Sequence, residues 1–347
     1  MLQIISGFHD MPAQMRWVPL MCESKRGMTN NTATNRRLAI LGYGACFMAG
    51  CLWGTGFYFG RLALNEMSVE YMVFYRILFA CLGVLPVALL TRIRLTGAEF
   101  RTLLLAAAFG IPIGFVLQFH GLARTTVSHA SLMVGAMPVL LGVAAAIFAH
   151  ERLDRIGWLA LVTSTVGAAL VTLGGSHGTA LRGQPSLPGD LMVLASLVAA
   201  LAWILPSKKL MQTHSPSVVS AYTILIGFAL LAPWALGPWL LSPLTHAHVA
   251  PLPFAHVSLT AWIALAISGL LCTAATTLLW NWGIHQVPAS RAGVFLNIEP
   301  ALGSWLGVKL LGEHLGPYAW IGGGLILAAA VTLTTREHTP EPAILLE

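Results

Sequence analysis

A chain of 347 residues that is 56% hydrophobic and only 9% charged cannot hide its apolar surface in a water-soluble fold, where roughly a quarter of residues are charged. Its net charge of +6 is no nucleic-acid signature, because the basic residues stand singly between apolar runs, where they report topology. Cys22, Cys46, Cys51, Cys81 and Cys272 lack C-x-x-C spacing and read as packing residues, which implies neither a disulfide framework nor a metal site.

In chain order, residues 1–37 contain no apolar run ahead of a small-residue cleavage site and read as a disordered cytoplasmic tail. Within them the polar stretch MTNNTATNRR begins at Met28, an alternative start of translation to Met1. Ten apolar runs follow, at 38–62, 70–91, 102–122, 127–149, 156–175, 188–211, 217–239, 258–282, 287–311 and 317–335. Each is close to the roughly 20 residues a helix needs to cross a hydrocarbon core of about 30 Å. The runs are continuous, whereas a membrane barrel is written in short alternating segments. The fold class is an all-α polytopic membrane protein with ten transmembrane helices. A linker at 176–187 separates a first five-helix repeat, 38–175, from a second, 188–335, and 336–347 is a cytoplasmic C-terminal tail.

Orientation follows from Lys and Arg, which cytoplasmic loops retain. With both termini inside, fourteen of these residues fall on the cytoplasmic side, against Arg61, Arg124, Arg182 and Lys309 on the other, with Arg76 inside the second helix.

The sequence repeats itself. Shifted by 162 positions without a gap, Gly121 falls on Gly283, Ser128 on Ser290, Pro138 on Pro300, Glu151 on Glu313, Leu153 on Leu315 and Trp158 on Trp320. A weaker echo joins Trp53 in the first helix to Trp203 in the sixth. An odd number of helices per copy turns the second copy over in the membrane, which predicts inverted repeats of the kind secondary transporters use to alternate between two open states.

The tracts CLWGTGFYFGR (51–61), VFYRILFACLGVLP (73–86), SLMVGAMPVLLGVAAAIFAHERL (131–153) and GVFLNIEPALGSWLGVKLLGEHL (293–315) resemble the EamA-type ten-helix members of the drug/metabolite transporter superfamily, from about residue 38 to 335. The resemblance implies secondary active transport of a small metabolite or drug, often export, in a bacterial inner membrane. It carries no substrate identity. The other classes considered are a membrane-embedded enzyme and a channel-like protein. An enzyme would need a layer of acid and base residues, and only Arg76 and Glu299 offer themselves; no nucleotide-binding loop or zinc-protease motif is present in the sequence.

Charges at mid-membrane are expensive and mark function. Glu299, twelve residues into the ninth run, is the candidate for proton coupling, with Met137 at its place in the first copy. A structural carboxyl bonded to Asn297 or to backbone freed by Pro300 is the alternative. Arg76 is expected either to snorkel toward the outer interface or to hold an anionic substrate group or neutralise Glu299; the family pattern also has an arginine here. Trp53, Tyr75, Gln118, Trp203, Tyr222, Trp280, Asn281 and Asn297 supply the expected cavity lining. Pro138 and Pro300 are candidate pivots, since each removes a helical hydrogen bond. Glu151 and Glu313 are read as structural anchors or gate elements, pairing with a cation or capping a neighbouring helix. The loop histidines His246, His248 and His256 lack the companions of a metal site. No cofactor and no metal is expected. The expected partners are a small-molecule substrate and the lipid bilayer, not nucleic acid, and a homodimer is admitted.

Overall fold

The structure is a computed structural model that describes residues 28–91, 93–137, 139–140, 144, 155–173, 185–245, 257–286 and 293–335. Residues 1–27, Pro138, Glu151, most of the 176–187 linker, the three loop histidines and the tail beyond 335 lie outside the described residues. The chain divides into two compact units, Met1–Ala39 and Ile40–Glu347. The first contributes only opening helical turns to the description.

All regular structure among the described residues is helical. Helix α1 spans Met28–Leu64 and α2 Val69–Leu90; α3 joins Gly97–Ala108 to Gly114–Leu122 through a π turn, Phe109–Ile113. Val127–Val134 forms α4, Arg155–Leu173 α5, Leu187–Leu210 α6 and Pro216–Thr245 α7. Helix α8 joins Leu259–Gly269 to Thr276–Gln286 through a π turn, Leu270–Ala275; α9 is Ile298–Leu310, entered by a 3-10 turn, Gly293–Asn297, and α10 is Pro317–Thr335.

The starts are chemically marked. Thr96, Thr126, Ser186 and Ser258 each accept a backbone N–H from three residues on, satisfying a donor that the first helical turn leaves open. At α3 the cap is reciprocal, because the Glu99 carboxylate accepts from the Thr96 amide at 2.8 Å.

Two runs expected to be continuous are broken. The fourth, expected through 149, leaves α-geometry after Val134 for a turn at Gly135 and Ala136. In the ninth, expected from 287, a 3-10 turn over Gly293–Asn297 precedes the α-helix Ile298–Leu310, and 287–292 lie outside the described residues. In both copies a proline follows the break: Pro138 and Pro300 stand four residues after Val134 and Leu296. A proline ring collides with the carbonyl four residues before it. Glu299 is consequently in the first turn of α9, not mid-helix, and Pro300 sits where its missing N–H deprives the helix of no bond.

The π turns were not anticipated. On the 162-residue offset, Phe109–Ile113 falls on 271–275, inside the π turn of α8. In α8, Thr273 and Thr276 send their hydroxyls to the carbonyls of Ser268 and Leu271, five residues back, at 3.0 and 2.5 Å.

In packing, α4 lies on α9, α5 on α10, α3 on α6, and α2 on both α7 and α8. Lipid tails provide no hydrophobic drive between helices, so close approach through small residues matters. A Cβ on Gly167 would lie 2.6 Å from the Gly322 carbonyl oxygen, which brings the backbones of α5 and α10 into contact. A Cβ on Gly54 would lie 3.1 Å from the Glu299 carbonyl oxygen, and one on Gly50 2.5 Å from that of Phe295, so α9 sits directly on α1.

The outer faces are apolar: Trp158, Leu159, Val162 and Val166 on α5, and Tyr318, Trp320 and Ile321 on α10, are exposed. Six described helices are long and apolar enough to cross a membrane: Arg37–Leu64, Val69–Leu90, Gly97–Leu122, Leu187–Ser207, Pro216–Gly237 and Leu259–Ile284. Arg155–Val171 and Pro317–Ala329 are apolar and shorter. Exposed apolar faces on helices of this length are those of a membrane protein.

Candidate functional site

The centre of the bundle is organised around Arg76. Its side chain is buried, 4% exposed, among α1, α2, α3 and α8. The Nε donates to Thr273 Oγ1 at 3.2 Å and Nη1 to the Gly56 carbonyl at 3.3 Å. The guanidinium lies over the rings of Phe115 and Phe119, 5.2 and 4.9 Å from their centroids, an arrangement in which the ring quadrupoles help replace lost hydration. Gly56 lies in close contact with it: a Cβ there would be 3.5 Å from Nη2, an ordinary van der Waals distance. Arg76 therefore does not snorkel to an interface.

Both π turns adjoin this arginine. Thr273 lies within the turn of α8, and Phe115 follows the turn of α3. Cys272, next to Thr273, is 3.3 Å from Thr55 Oγ1 of α1. Glu299, half-buried at the start of α9, interacts electrostatically with both Arg76 and Cys272. The arginine and the carboxylate of this layer interact at a distance, and no salt bridge links them among the described residues. A helix N-terminus favours negative charge, so α9 itself helps to hold Glu299 there.

The other expected lining residues divide. Trp53 pairs with Trp280, ring centroids 5.5 Å apart, both half-buried, so the tryptophan near the end of α8 packs on α1. Trp203 lies against Gly110, where a Cβ would come within 2.8 Å of its ring. Gln118 is half-buried on α3. Tyr75 is buried against Phe74 and Trp262. Asn281 is buried and donates to Ser220 Oγ. Asn297 holds the position preceding α9. Tyr222 lies apart, packing by Leu103 and Leu210 and donating to the Thr91 carbonyl at 3.3 Å.

Glu313 reaches a helix other than its own. Its carboxylate accepts the Val127 and Ser128 amides, both at 2.7 Å, and the Ser128 hydroxyl at 2.6 Å. It caps α4 across the bundle. Glu66 treats α8 alike, accepting the Ser258 amide and hydroxyl at 2.6 Å; these bonds hold its carboxyl below the ordinary carboxylate range.

Two acidic and basic groups escaped sequence reasoning. His129 of α4 and Asp190 of α6 are both fully buried, with Nδ1 and Oδ2 3.8 Å apart. Each lies near a helix start and 61 residues from the other, so only the fold brings them together.

The EamA-like transporter family matches this chain twice, over residues 40–173 and 187–335. The chain belongs to that family. Among curated relatives of this family member, an Archaeoglobus fulgidus protein named uncharacterized transporter is 27% identical over 299 residues, covering 85% of this chain and 97% of that protein. The Bacillus subtilis uncharacterized transporter YwfM is 26% identical over 234 residues, covering 65% and 72%. The Escherichia coli inner membrane protein YtfF is 24% identical over 314 residues, covering 85% and 95%. A solved crystal structure shares the fold at a TM-score of 0.56 with 18% identity, covering 86% of this chain and 98% of the other. Family and relatives point to a membrane transporter and away from an enzyme.

Proposed function

We propose that this EamA-like protein is a secondary active transporter that moves a small organic metabolite or drug across a bacterial inner membrane by alternating access, exporting it in exchange for protons. It works as ten membrane helices in two inverted five-helix repeats, 38–175 and 188–335, joined by 176–187, with tails 1–37 and 336–347 in the cytoplasm. The observation that carries this reading is the Arg76 layer, a buried cation facing Glu299 where helices are interrupted at corresponding positions of the two copies. Interrupted helices at the midplane are where such transporters place substrate and coupling ion. Inversion is supported by the odd helix number per copy, and N-in, C-in topology by the distribution of Lys and Arg.

Within this reading Arg76 offers charge to an anionic substrate group once the layer opens, Trp53 and Trp280 offer apolar faces, and Glu299 takes and releases the proton. The breaks before Pro138 and Pro300 are the pivots, and Glu151 and Glu313 mark opposite faces. The experiment is a metabolite and toxicant screen comparing overproducing with deletion cells, followed by the pH dependence of transport of each hit. Glu299→Gln is expected to flatten that dependence across pH 6 to 8 while protein level holds. An unchanged pH profile in the variant removes Glu299 from coupling.

A further inference from the structure

The starts of α4 and α6 meet in a buried polar cluster whose charges do not sum to zero. Arg61 of α1, 8% exposed, donates to the carbonyls of Leu122 and Thr125 and interacts electrostatically with Glu313. The Thr125 hydroxyl donates to Asp190 Oδ1 at 2.5 Å. Asp190 Oδ2 and His129 Nδ1 then face each other at 3.8 Å, too far for a hydrogen bond, and neither has a hydrogen-bond partner among the described residues. With His129 neutral the cluster contains one cation and two carboxylates.

The other charged groups nearby are exposed or directed elsewhere: Lys309 of α9 and His314, beside Glu313, are exposed. Arg124, before α4, is exposed and directed to His120 and Met192; Glu70 of α2 pairs with His120 at 3.5 Å. A buried carboxylate left without a counter-charge is strongly unfavourable, and imidazole is the side chain that supplies one by taking a proton near neutral pH. The duplication points the same way. On the 162-residue offset His129 corresponds to Arg291, a permanent cation.

We propose that His129 and Asp190 form a proton-binding site, distinct from Glu299, that latches α4 to α6. A proton from water adds to His129 Nδ1, which then donates to Asp190 Oδ2; the gap closes to an ion-paired hydrogen bond and the cluster becomes neutral. Both side chains are already sealed from solvent in this structure with the bond still unmade, so the added proton tightens an end of the bundle that is shut. Loss of the proton leaves Asp190 buried against a neutral ring and favours opening. The function of the latch rests on the transporter reading; the existence of the site does not.

The test needs no substrate. A proton bound in the folded protein and released on unfolding stabilises the fold in acid, and that stabilisation fades as pH rises. The purified full chain in detergent is melted between pH 5.5 and 8, followed by tryptophan fluorescence, beside His129→Gln, Asp190→Asn and the double variant. The double variant replaces the pair by two neutral amides and supplies a folded reference should single variants fail to accumulate. Relative to it, the wild type is expected to gain a few degrees of melting temperature on acidification. Asp190→Asn is expected to lose that gain or reverse it. In histidine-labelled protein, one ring resonance absent from His129→Gln should titrate between pH 5 and 8 and move in Asp190→Asn. Equal pH slopes in wild type and double variant, or a His129 ring that does not titrate, overturn the proposal. A titrating pair in a protein that transports nothing in any assay leaves the site standing and removes the transport reading.

Discussion

Glu313→Ala is expected to be the most destabilising single change outside the apolar core. The variant leaves two buried amides of α4, on Val127 and Ser128, without an acceptor, and deprives Arg61 of its nearby anion. Unsatisfied buried donors and a buried charge stripped of its partner together cost roughly 2–4 kcal/mol. In a detergent melting experiment this should appear as a fall of about 5 °C or more. Glu313→Gln keeps one acceptor oxygen but sets an NH2 against the other amide, so it should cost less than the alanine variant, about 1–2 kcal/mol. If the two variants melt alike, the cap is not what holds this end of the bundle.

Arg76→Met should separate stability from transport in the opposite sense. Arg76 makes no ion contact among the described residues, so its removal breaks no buried salt bridge and relieves the desolvation of a buried cation, and methionine adapts to the space over Phe115 and Phe119. Melting temperature is therefore expected to hold or rise. Transport of an anionic substrate should fall by more than about tenfold, because no other cation faces the layer among the described residues and one lost charged contact is worth roughly 1.5–3 kcal/mol. Arg76→Lys should not rescue it, since a lysine cannot keep both the Thr273 bond and the planar stacking. A fall in stability with transport intact would make Arg76 a structural residue.

Much of this was legible in the order of residues. Helix starts were written in Thr96, Thr126, Ser186 and Ser258, because a capping hydroxyl acts within three residues of itself. The role of Glu313 was legible as a choice between a cation and a helix cap; the fold supplies both, the amides of α4 directly and Arg61 at longer range. The breaks before Pro138 and Pro300 carried their signal too, in a ring that forbids α-geometry through the carbonyl four residues earlier; a count of apolar residues overrode it and put Glu299 mid-helix.

The rest depends on contacts distant in sequence. The π turns have no local composition that distinguishes them from α-helix, and show only in the five-residue reach of Thr273 and Thr276. Arg76 looked free to snorkel until Gly56, Phe115, Phe119 and Thr273 came to it from three other helices. His129 and Asp190 each read as a polar residue near a helix start, a place where either is ordinary. Their significance is in being buried together, with His129 Nδ1 and Asp190 Oδ2 lacking a hydrogen-bond partner among the described residues.

The central claim is that the interrupted helices around Arg76 and Glu299 form a site reached alternately from the two sides of the membrane. Counterflow tests it most directly. Proteoliposomes of the full chain, preloaded with a solute found in the cell screen, should take up a trace of labelled solute transiently above equilibrium, with saturation, and should lose this in Arg76→Met. Uptake that never exceeds equilibrium and rises linearly with concentration would be the behaviour of a channel, and would contradict alternating access at this layer.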